Sequence, residues 1–435
     1  MAELQAGALR QYPWWWENTN LIHHEGAEEA PSLPARADVV VVGGGLTGLT
    51  AAQILADAGR SVVLCDAGKP GGGASSRNGA MLGRYFKHSF GQLKDSAGLD
   101  TAVAYFRELC AVYDFAIDRI NALGLDAGFR NCGRVVGAIT QGHRDRLFRE
   151  WELRARHIGE SVNFLEYSDH PELPTERYVG GIHIVENAAV HPGRYSMAHV
   201  KAAKEAGALV SGFTRVEAVA KEKDGFSVRT TRGTVMARDV LVATNGYTGK
   251  SLSWFHRRLS PINAFMIATR PLERTKLARL RAGNRTYHDN RKNSNYYQLS
   301  DDGRLIFGGR TGLYHRSLPQ MAVKLREEMV RFFPELEDVE VSHAWTGSCA
   351  ATGDMFPHVG QHDGIYFATG YCFSGLAMAP YLGHKAAMRL LGNVEAAETL
   401  FTQDDLRYVP WPKRQSFLIP LVMQYYRMRE PLPKL

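Results

Sequence analysis

The chain has 435 residues, of which 45% are hydrophobic and 22% charged, as expected of a globular protein with a large core and two domains. Its net charge of +7 comes from scattered basic residues, which argues against nucleic-acid binding. The five cysteines form no C-x-x-C pair, so we expect neither a metal site nor a disulfide framework. No secretory signal is visible, and no run approaches the ~18 apolar residues of a membrane span. We therefore expect a cytoplasmic protein.

An irregular arm, residues 1–36, holds three adjacent tryptophans at Trp14–Trp16. Three indole rings are costly to leave in water, so we expect the arm to pack on the body of the protein. An aromatic wall against a ligand is the less favoured alternative.

A complete β-α-β unit follows the arm. An apolar strand at 38–42 enters a G-x-G-x-x-G turn, a helix covers 49–56, and a second strand at 61–65 ends at Asp66. This acid can accept hydrogen bonds from a ribose diol. A strand before the turn, a helix after it and an acid about 20 residues on together predict a dinucleotide site.

The three glycines of the turn have separate functions. Gly43 permits the tight turn, Gly45 lets the backbone approach a pyrophosphate, and Gly48 lets the helix pack on the strand. The N-terminus of the helix offers free N–H groups and a positive dipole end to the phosphates.

Further strands lie downstream. The turn residues and apolar patterns predict a meander at 215–236 and a buried strand at 239–246. They also predict a hairpin at 295–309 and a last buried strand at 364–370.

Two features favour FAD over NAD. Small residues at 71–80 follow the ribose acid and would let the backbone run along an extended pyrophosphate and ribityl chain. A helix opening near Ser374 can aim N–H groups at the flavin N1–C2=O edge. A second G-x-G-x-x-G is missing from the sequence, so we expect electrons to come directly from an organic substrate.

Several motifs carry a resemblance to a known family: the segments 12–16, 73–80, 296–310, 345–347 and 354–360. With them the chain resembles the FAD-dependent amine and amino-acid oxidoreductases, which include D-amino-acid oxidase, glycine oxidase and monomeric sarcosine oxidase. Among these it is most similar to the bacterial γ-glutamylputrescine oxidoreductase branch.

The resemblance implies an α/β, two-domain fold: a Rossmann-like FAD-binding domain of the glutathione-reductase/p-hydroxybenzoate-hydroxylase type, interleaved with an antiparallel-sheet substrate domain. We assign 37–90, 181–260 and 341–395 to the FAD-binding domain, 91–180 and 261–340 to the substrate domain, and 396–435 to a C-terminal extension.

The resemblance also implies a reaction. The C–H bond next to the nitrogen of an amine or amino acid gives a hydride to flavin N5, and the resulting imine is hydrolysed. We expect O2 to accept the electrons and yield H2O2. The alternatives are a membrane-associated dehydrogenase that passes electrons to quinone, and a non-catalytic FAD-bound subunit.

Two departures from sarcosine oxidases bear on this chemistry. Their flavin-tethering cysteine aligns with Gly347, and Cys349 lies two residues off, so we predict non-covalent FAD. Their oxygen-activating lysine aligns with Ile306, which leaves room for another electron acceptor.

The residues expected to contact FAD lie in the β-α-β unit, the small-residue segment, the later strands and the last helix. They are Gly43, Gly45, Leu46, Thr47, Gly48, Asp66, Ala67, Gly73, Ala74, Ser75, Ser76, Arg77, Asn78, Gly79, Ala80, Val216, Thr244, Asn245, Gly246, Gly370, Phe373, Ser374, Gly375 and Leu376.

Four residues are candidates for substrate contact. Arg84 lies where sarcosine oxidases place a carboxylate-binding arginine, although a surface arginine is an equal alternative. Tyr296 and Tyr297 alternate on a strand, so one should face the flavin, and we favour Tyr297. Arg310 either faces the pocket or forms a structural ion pair.

The C-terminal run at 417–427 is apolar with a basic end. We expect it to pack on the flavin domain or on a partner subunit, with a membrane contact as the alternative. The particular amine and the oligomeric state stay open.

Overall fold

The computed structural model describes residues 9–22, 31–280, 285–309 and 317–409, together with Tyr425 and Met428. Within these ranges the strands are β1 Arg36–Val42, β2 Val62–Cys65, β3 Met81–Leu82, β4 Arg134–Ala138, β5 Val162–Leu165, β6 Gly180–Ile184, β7 Ala188–Ala189, β8 Leu209–Ser211, β9 Val216–Glu222, β10 Gly225–Thr230, β11 Gly233–Val242, β12 Ser260–Thr269, β13 Thr286–Asp289, β14 Tyr296–Leu299, β15 Leu305–Gly309, β16 Val341–Ala351, β17 His358–His362 and β18 Ile365–Thr369. The helices are α1 Leu46–Asp57, α2 Phe90–Ala97, α3 Leu99–Ala122, α4 Gln141–Ile158, α5 Pro192–Glu205, α6 Ser253–His256, α7 Arg274–Arg279, α8 Leu318–Phe332, α9 Gly375–Leu391 and α10 Val394–Ala397.

The first sheet has a parallel centre with the strand order β17-β18-β11-β1-β2-β8, and β10 and β9 extend from β11 as an antiparallel meander. The valines of β1 are buried on both faces of the sheet, as is usual for a central parallel strand covered by helices. Helices α1, α3, α5 and α9 contribute to the apolar core on one of these faces.

The second sheet has the order β16-β12-β15-β14-β13-β4-β6-β5 and is antiparallel except for the β13–β4 pair. Its outer face packs on α8, whose buried residues join an aromatic core around Tyr297 and Phe307. The opposite face turns toward the first sheet. This two-sheet architecture confirms the predicted fold class.

The segments do not divide between the sheets in the order assigned from the sequence. β6 and β16 lie in segments assigned to the FAD-binding domain, yet both pair within the second sheet. The domain boundaries stay a prediction.

The tryptophan arm packs on the body. Trp14–Trp16 form a short 3-10 helix, and Trp15 and Trp16 are buried against Trp345 and Ile306. The C-terminal run at 417–427 lies outside the described residues except for Tyr425. In the described part of the chain, none of the helices has the length and apolar character needed to cross a membrane.

Candidate active site

A cavity of about 1170 Å³ is lined by residues of both sheets. The carboxyl ends of β1 and β2, where ligands of parallel α/β sheets bind, contribute Val42 and Cys65. The second sheet contributes Ala264, His288 and Tyr296 and forms a roof over the cavity.

The G-x-G-x-x-G turn has the geometry that its glycines require. Gly43 has φ +109°, and a Cβ there would lie 2.8 Å from the Ala243 carbonyl oxygen. A Cβ on Gly48 would lie 2.0 Å from the Gly43 oxygen. Gly45 occupies the N-cap position of α1 and provides no side chain to cap the helix. The start of α1 is thus open to a phosphate.

Asp66 lies at the end of β2, as predicted for a ribose-binding acid. Its carboxylate accepts hydrogen bonds from the backbone N–H groups of Gly44, at 2.6 Å, and Gly68, at 2.8 Å. Burial raises the pKa of Asp66, and these two N–H donors oppose the shift. The carboxylate is therefore fixed in position on the cavity wall.

The N-terminus of α9, which packs with α1 on the same face of the first sheet, also reaches the cavity. Cys372 and Phe373 have φ of 42° and 78°, a left-handed conformation that is strained for side chains of this size. This turn brings Ser374 to the cavity wall, where its buried Oγ has no hydrogen-bond partner in the part of the chain that the structure describes. An orphaned hydroxyl and a helix N-terminus at the same point suit a polar, electron-rich ligand edge.

The register of the second sheet decides which hairpin tyrosine faces the cavity. Tyr296 pairs with His288 and with Gly308, and its ring lies so close to Gly79 and Gly308 that a Cβ at either position would lie within 3 Å of it. Tyr296 therefore lines the cavity.

Tyr297 lies on the opposite face, which corrects the preference stated above. It is 1% exposed, stacks between Tyr287 and Phe307, and shares a 3.1 Å hydrogen bond with the hydroxyl of Tyr178. Because neighbouring residues on a strand point to opposite faces, Tyr297 belongs to the aromatic core once Tyr296 faces the cavity.

The expectation for Arg84 is also corrected. Its guanidinium forms ion pairs with Glu186 and, at 3.4 Å, with Asp114, and it lies over the ring of Tyr113. Gly83 and Tyr85 line the cavity, but Arg84 does not. The Arg84 charge is therefore neutralised by carboxylates outside the cavity.

Arg310, the remaining candidate for substrate contact, lies outside the described residues.

A different arginine reaches the cavity. Arg134 begins β4 and is 7% exposed, and among the described residues no carboxylate pairs with it. Within the described residues its hydrogen bonds are two long ones, at 3.4 Å to Thr286 Oγ1 and 3.5 Å to the Leu82 oxygen. Burial lowers the pKa of Arg134 to about 10, so the side chain remains a cation at neutral pH.

His288 lies beside this cation on the adjacent strand. The residue pairs Arg134–Thr286, His288–Val136 and His288–Tyr296 place Arg134, His288 and Tyr296 on one face of the sheet. Burial, followed by the Arg134 charge, lowers the pKa of His288 to about 3. The imidazole is therefore neutral at pH 7, and none of the described residues forms a hydrogen bond with its Nδ1.

Most of the residues expected to contact FAD line the cavity. These are Gly43, Gly45, Leu46, Thr47, Asp66, Ala67, Gly73, Ala74, Ser75, Arg77, Asn78, Gly79, Val216, Thr244, Asn245, Phe373, Ser374, Gly375 and Leu376. Five lie behind the wall instead: Gly48, Ser76, Ala80, Gly246 and Gly370. Gly246 illustrates the reason, since a Cβ there would lie 2.6 Å from the Ser348 oxygen, so this glycine serves close backbone packing.

Sequence reasoning left many cavity residues unassigned, among them Trp16, Arg134, Phe213, Tyr247 and His288. For Trp16, packing on the body of the protein was the favoured expectation and a wall against a ligand the less favoured one. For Arg134 a signal existed, because a charged residue opens an otherwise apolar strand that is buried throughout. Phe213, Tyr247 and His288 stand in segments without a distinguishing pattern.

The turn, the ribose acid and the α9 N-terminus, joined by one long cavity, define a flavin-dependent oxidoreductase site. The open start of α1 and Asp66 suit the nucleotide half of FAD, and the Ser374 turn suits the flavin half.

Comparisons with known proteins agree with this assignment. The model of the DAO family, described as FAD dependent oxidoreductase, matches residues 38–389. The chain is 27% identical to gamma-glutamylputrescine oxidoreductase of Escherichia coli strain K12, over 91% of this chain and 93% of that protein. It is 28% identical to the probable oxidoreductase OrdL of Haemophilus influenzae, over 82% and 84% respectively. The crystal structure of glycine oxidase from Geobacillus kaustophilus superposes with a TM-score of 0.68 at 25% identity, covering 85% of this chain and 97% of that one.

The chain therefore belongs to the DAO family of FAD-dependent oxidoreductases, which confirms the resemblance noted from its motifs. Its cofactor is FAD, bound non-covalently. It is an oxidoreductase of a family that acts on amines and amino acids.

Proposed function

We propose that this protein oxidises the C–N bond of an amine that also carries a carboxylate, such as an amino acid or a γ-glutamyl amine. The amine becomes an imine, and water hydrolyses the imine to a carbonyl compound and a free amine or ammonia. When bound, FAD supplies the acceptor for the hydride that leaves the carbon next to nitrogen. O2 is the proposed final acceptor, giving H2O2.

The observation that carries the carboxylate assignment is the uncompensated charge of Arg134. A buried guanidinium without a counter-ion is costly, and its long hydrogen bonds to Thr286 and Leu82 offset little of that cost. A carboxylate in the cavity would compensate the charge and accept two parallel hydrogen bonds from the guanidinium fork.

His288 and Tyr296 lie on the same face as Arg134 and complete the substrate side. The neutral imidazole can accept a hydrogen bond from the substrate nitrogen at its unpartnered Nδ1. A carboxylate bound at Arg134 would cancel the positive charge that acts on His288 and so raise its basicity. The substrate amine must be neutral to lose hydride, and an aromatic, partly dry cavity favours its uncharged form.

The test is an anaerobic screen of the purified holoenzyme with matched substrate pairs. Each pair has one member with a carboxylate and one without: γ-glutamylputrescine and putrescine, glycine and methylamine, proline and pyrrolidine. Loss of the flavin absorbance near ~450 nm reports reduction. We expect reduction only by a carboxylate-bearing member. Equal reduction by both members of a pair would overturn the carboxylate assignment, and no reduction by any of them would favour the non-catalytic FAD-bound subunit.

The electron acceptor is tested in the same samples. Rapid return of the flavin colour on admitting air, with one H2O2 per substrate, is the expected result for an oxidase. A specific observation favours the dehydrogenase alternative: Ile306 is fully buried where sarcosine oxidases have a lysine. Slow recovery in air and fast recovery with an artificial quinone would establish that alternative.

A cytoplasmic location is part of the proposal. The five cysteines, all within the described residues, form no disulfide bond with one another, which suits a reducing compartment. Fractionation of cells that express the full chain would test it, with recovery in the membrane pellet as the contrary result.

A further inference from the structure

The N-terminal tryptophan arm reaches the same loop that forms one wall of the FAD cavity. We propose that Trp16 is a positioning residue for FAD, which acts through Ser76 and Arg77 and so holds the loop at 71–80 in its binding conformation. The proposal concerns the cofactor and does not depend on the identity of the substrate.

The first contact is a relay of two hydrogen bonds. The Trp16 indole N–H donates to Ser76 Oγ at 3.0 Å, and the Ser76 hydroxyl donates to the Gly71 carbonyl oxygen at 2.6 Å. Trp16 is 4% exposed and Ser76 is fully buried. The indole thus fixes the orientation of the hydroxyl group that closes the loop on itself.

The second contact holds a charge. The Arg77 guanidinium lies 4.4 Å from the centre of the Trp16 ring, a cation–π arrangement. Arg77 also donates to the carbonyl oxygens of Gly72, at 2.8 Å, and Thr346, at 3.3 Å. Among the described residues no carboxylate pairs with Arg77. Its charge is therefore held in place by a ring and two carbonyls, and it remains available to the cavity that Arg77 lines.

Ser76 itself lies behind the cavity wall, whereas its neighbours Ser75 and Arg77 line it. Ser75 Oγ accepts a hydrogen bond from the Leu46 N–H at the start of α1, at 3.0 Å. A shift of Ser76 would therefore move a residue at the phosphate-binding helix end together with a cavity cation.

The arm is anchored at its other end to the roof. The Arg10 backbone N–H donates to the Ser342 oxygen at 3.0 Å, and the Arg10 oxygen accepts from the Ala344 N–H at 2.9 Å, both in β16. The Glu17 carboxylate accepts a hydrogen bond from the His343 imidazole. The arm thus connects the roof to the loop beneath it, and this connection explains how a segment outside both sheets can influence the cofactor.

The test is Trp16→Phe, which removes the N–H donor and weakens the cation–π contact while it keeps an aromatic ring. We expect FAD to bind about tenfold more weakly, since one buried hydrogen bond and part of a cation–π contact are lost. Titration of the apoprotein, followed by the quenching of flavin fluorescence, gives the Kd. The visible circular dichroism of bound flavin should change as well, because the flavin ring would lie in an altered environment.

Trp14→Phe is the matched control. Trp14 belongs to the same 3-10 helix, its ring contacts those of Trp15 and His191, and it does not line the cavity, so its replacement should leave the Kd and the spectrum unchanged. Equal weakening by both variants would mean that the arm contributes packing alone and would overturn the proposal.

Ser76→Ala provides a second, independent perturbation if Trp16→Phe does not fold. It removes the Trp16–Ser76 hydrogen bond together with the bond from Ser76 to Gly71, without changing any atom that lines the cavity. We expect a similar loss of FAD affinity, and in the double variant the two losses should add only in part, because both changes remove the Trp16–Ser76 bond. Parental affinity and spectrum in Ser76→Ala would refute the role of this relay.

Discussion

Replacing Arg134 with methionine should separate substrate recognition from stability. The variant removes the guanidinium and keeps an apolar stem of similar length in the buried strand. A charge-assisted hydrogen bond contributes about 1.5–3 kcal/mol, so loss of a two-bond clamp should cost about 3 kcal/mol, or ~150-fold in kcat/KM, for a carboxylate-bearing amine. For the matched amine without a carboxylate, kcat/KM should stay the same or rise.

Stability should change in the opposite direction. Arg134 is buried without a counter-ion among the described residues, and a hydrophobic replacement removes the cost of keeping that charge out of water. We expect the free energy of unfolding of the apoprotein, measured by urea denaturation, to rise by about 1–3 kcal/mol.

Arg84→Met is the control for Arg134→Met, because the Arg84 charge is already paired with Glu186 and Asp114 outside the cavity. It should leave the preference for carboxylate-bearing amines intact. The reasoning fails if Arg134→Met loses activity equally on both members of a substrate pair, or if Arg84→Met shows the selective loss.

Three further predictions concern the turn, the hairpin and a buried histidine. Gly48→Ala should prevent FAD retention on gel filtration, because its Cβ would lie 2.0 Å from the Gly43 oxygen; full retention would contradict this view of the turn. Tyr296→Phe should lower kcat/KM about tenfold while Tyr297→Phe lowers only the melting temperature; the reverse pattern would show that the cavity face is misassigned. Burial lowers the pKa of His199 to about 3. As the pH falls below about 6.5, His199 therefore becomes protonated in the unfolded chain while it stays neutral in the folded protein. The free energy of unfolding should fall by about 2 kcal/mol between pH 7 and 5 as a result. Urea unfolding of His199→Phe at both pH values should show a smaller loss, and an unchanged loss would exclude His199 as its source.

The dinucleotide turn could be predicted from the sequence because its requirements are local. Gly43 needs a left-handed backbone and Gly48 needs close approach to a carbonyl, and both conditions arise within one β-α-β unit. Asp66 follows from the length of the same unit. Short-range sterics thus determine a pattern that can be read without knowledge of distant residues.

The hairpin shows where local reasoning ends. Alternation predicts that Tyr296 and Tyr297 face opposite ways, but the choice between the two faces depends on register with neighbouring strands. Tyr297 lies opposite Tyr287 and Phe307, whose rings enclose it. The pairing with Tyr287 joins a strand that the sequence analysis did not identify, so the face could not be assigned.

The two arginines show the same limit for charge. Counting from the small-residue segment led to Arg84, whose spacing matched that of a carboxylate-binding arginine. Its partners Glu186 and Asp114 are 102 and 30 residues away in the chain, and only the fold reveals that they neutralise it. Arg134 has no such partner within the described ranges and lies in a buried strand beside His288. The mark of a substrate anchor is therefore a charge that stays uncompensated inside the cavity. This property depends on the complete set of contacts in the fold, and the spacing of residues along the chain does not reveal it. By that criterion, we propose that the carboxylate of the substrate binds under β4, with the substrate nitrogen toward His288 and Tyr296 on the neighbouring strands.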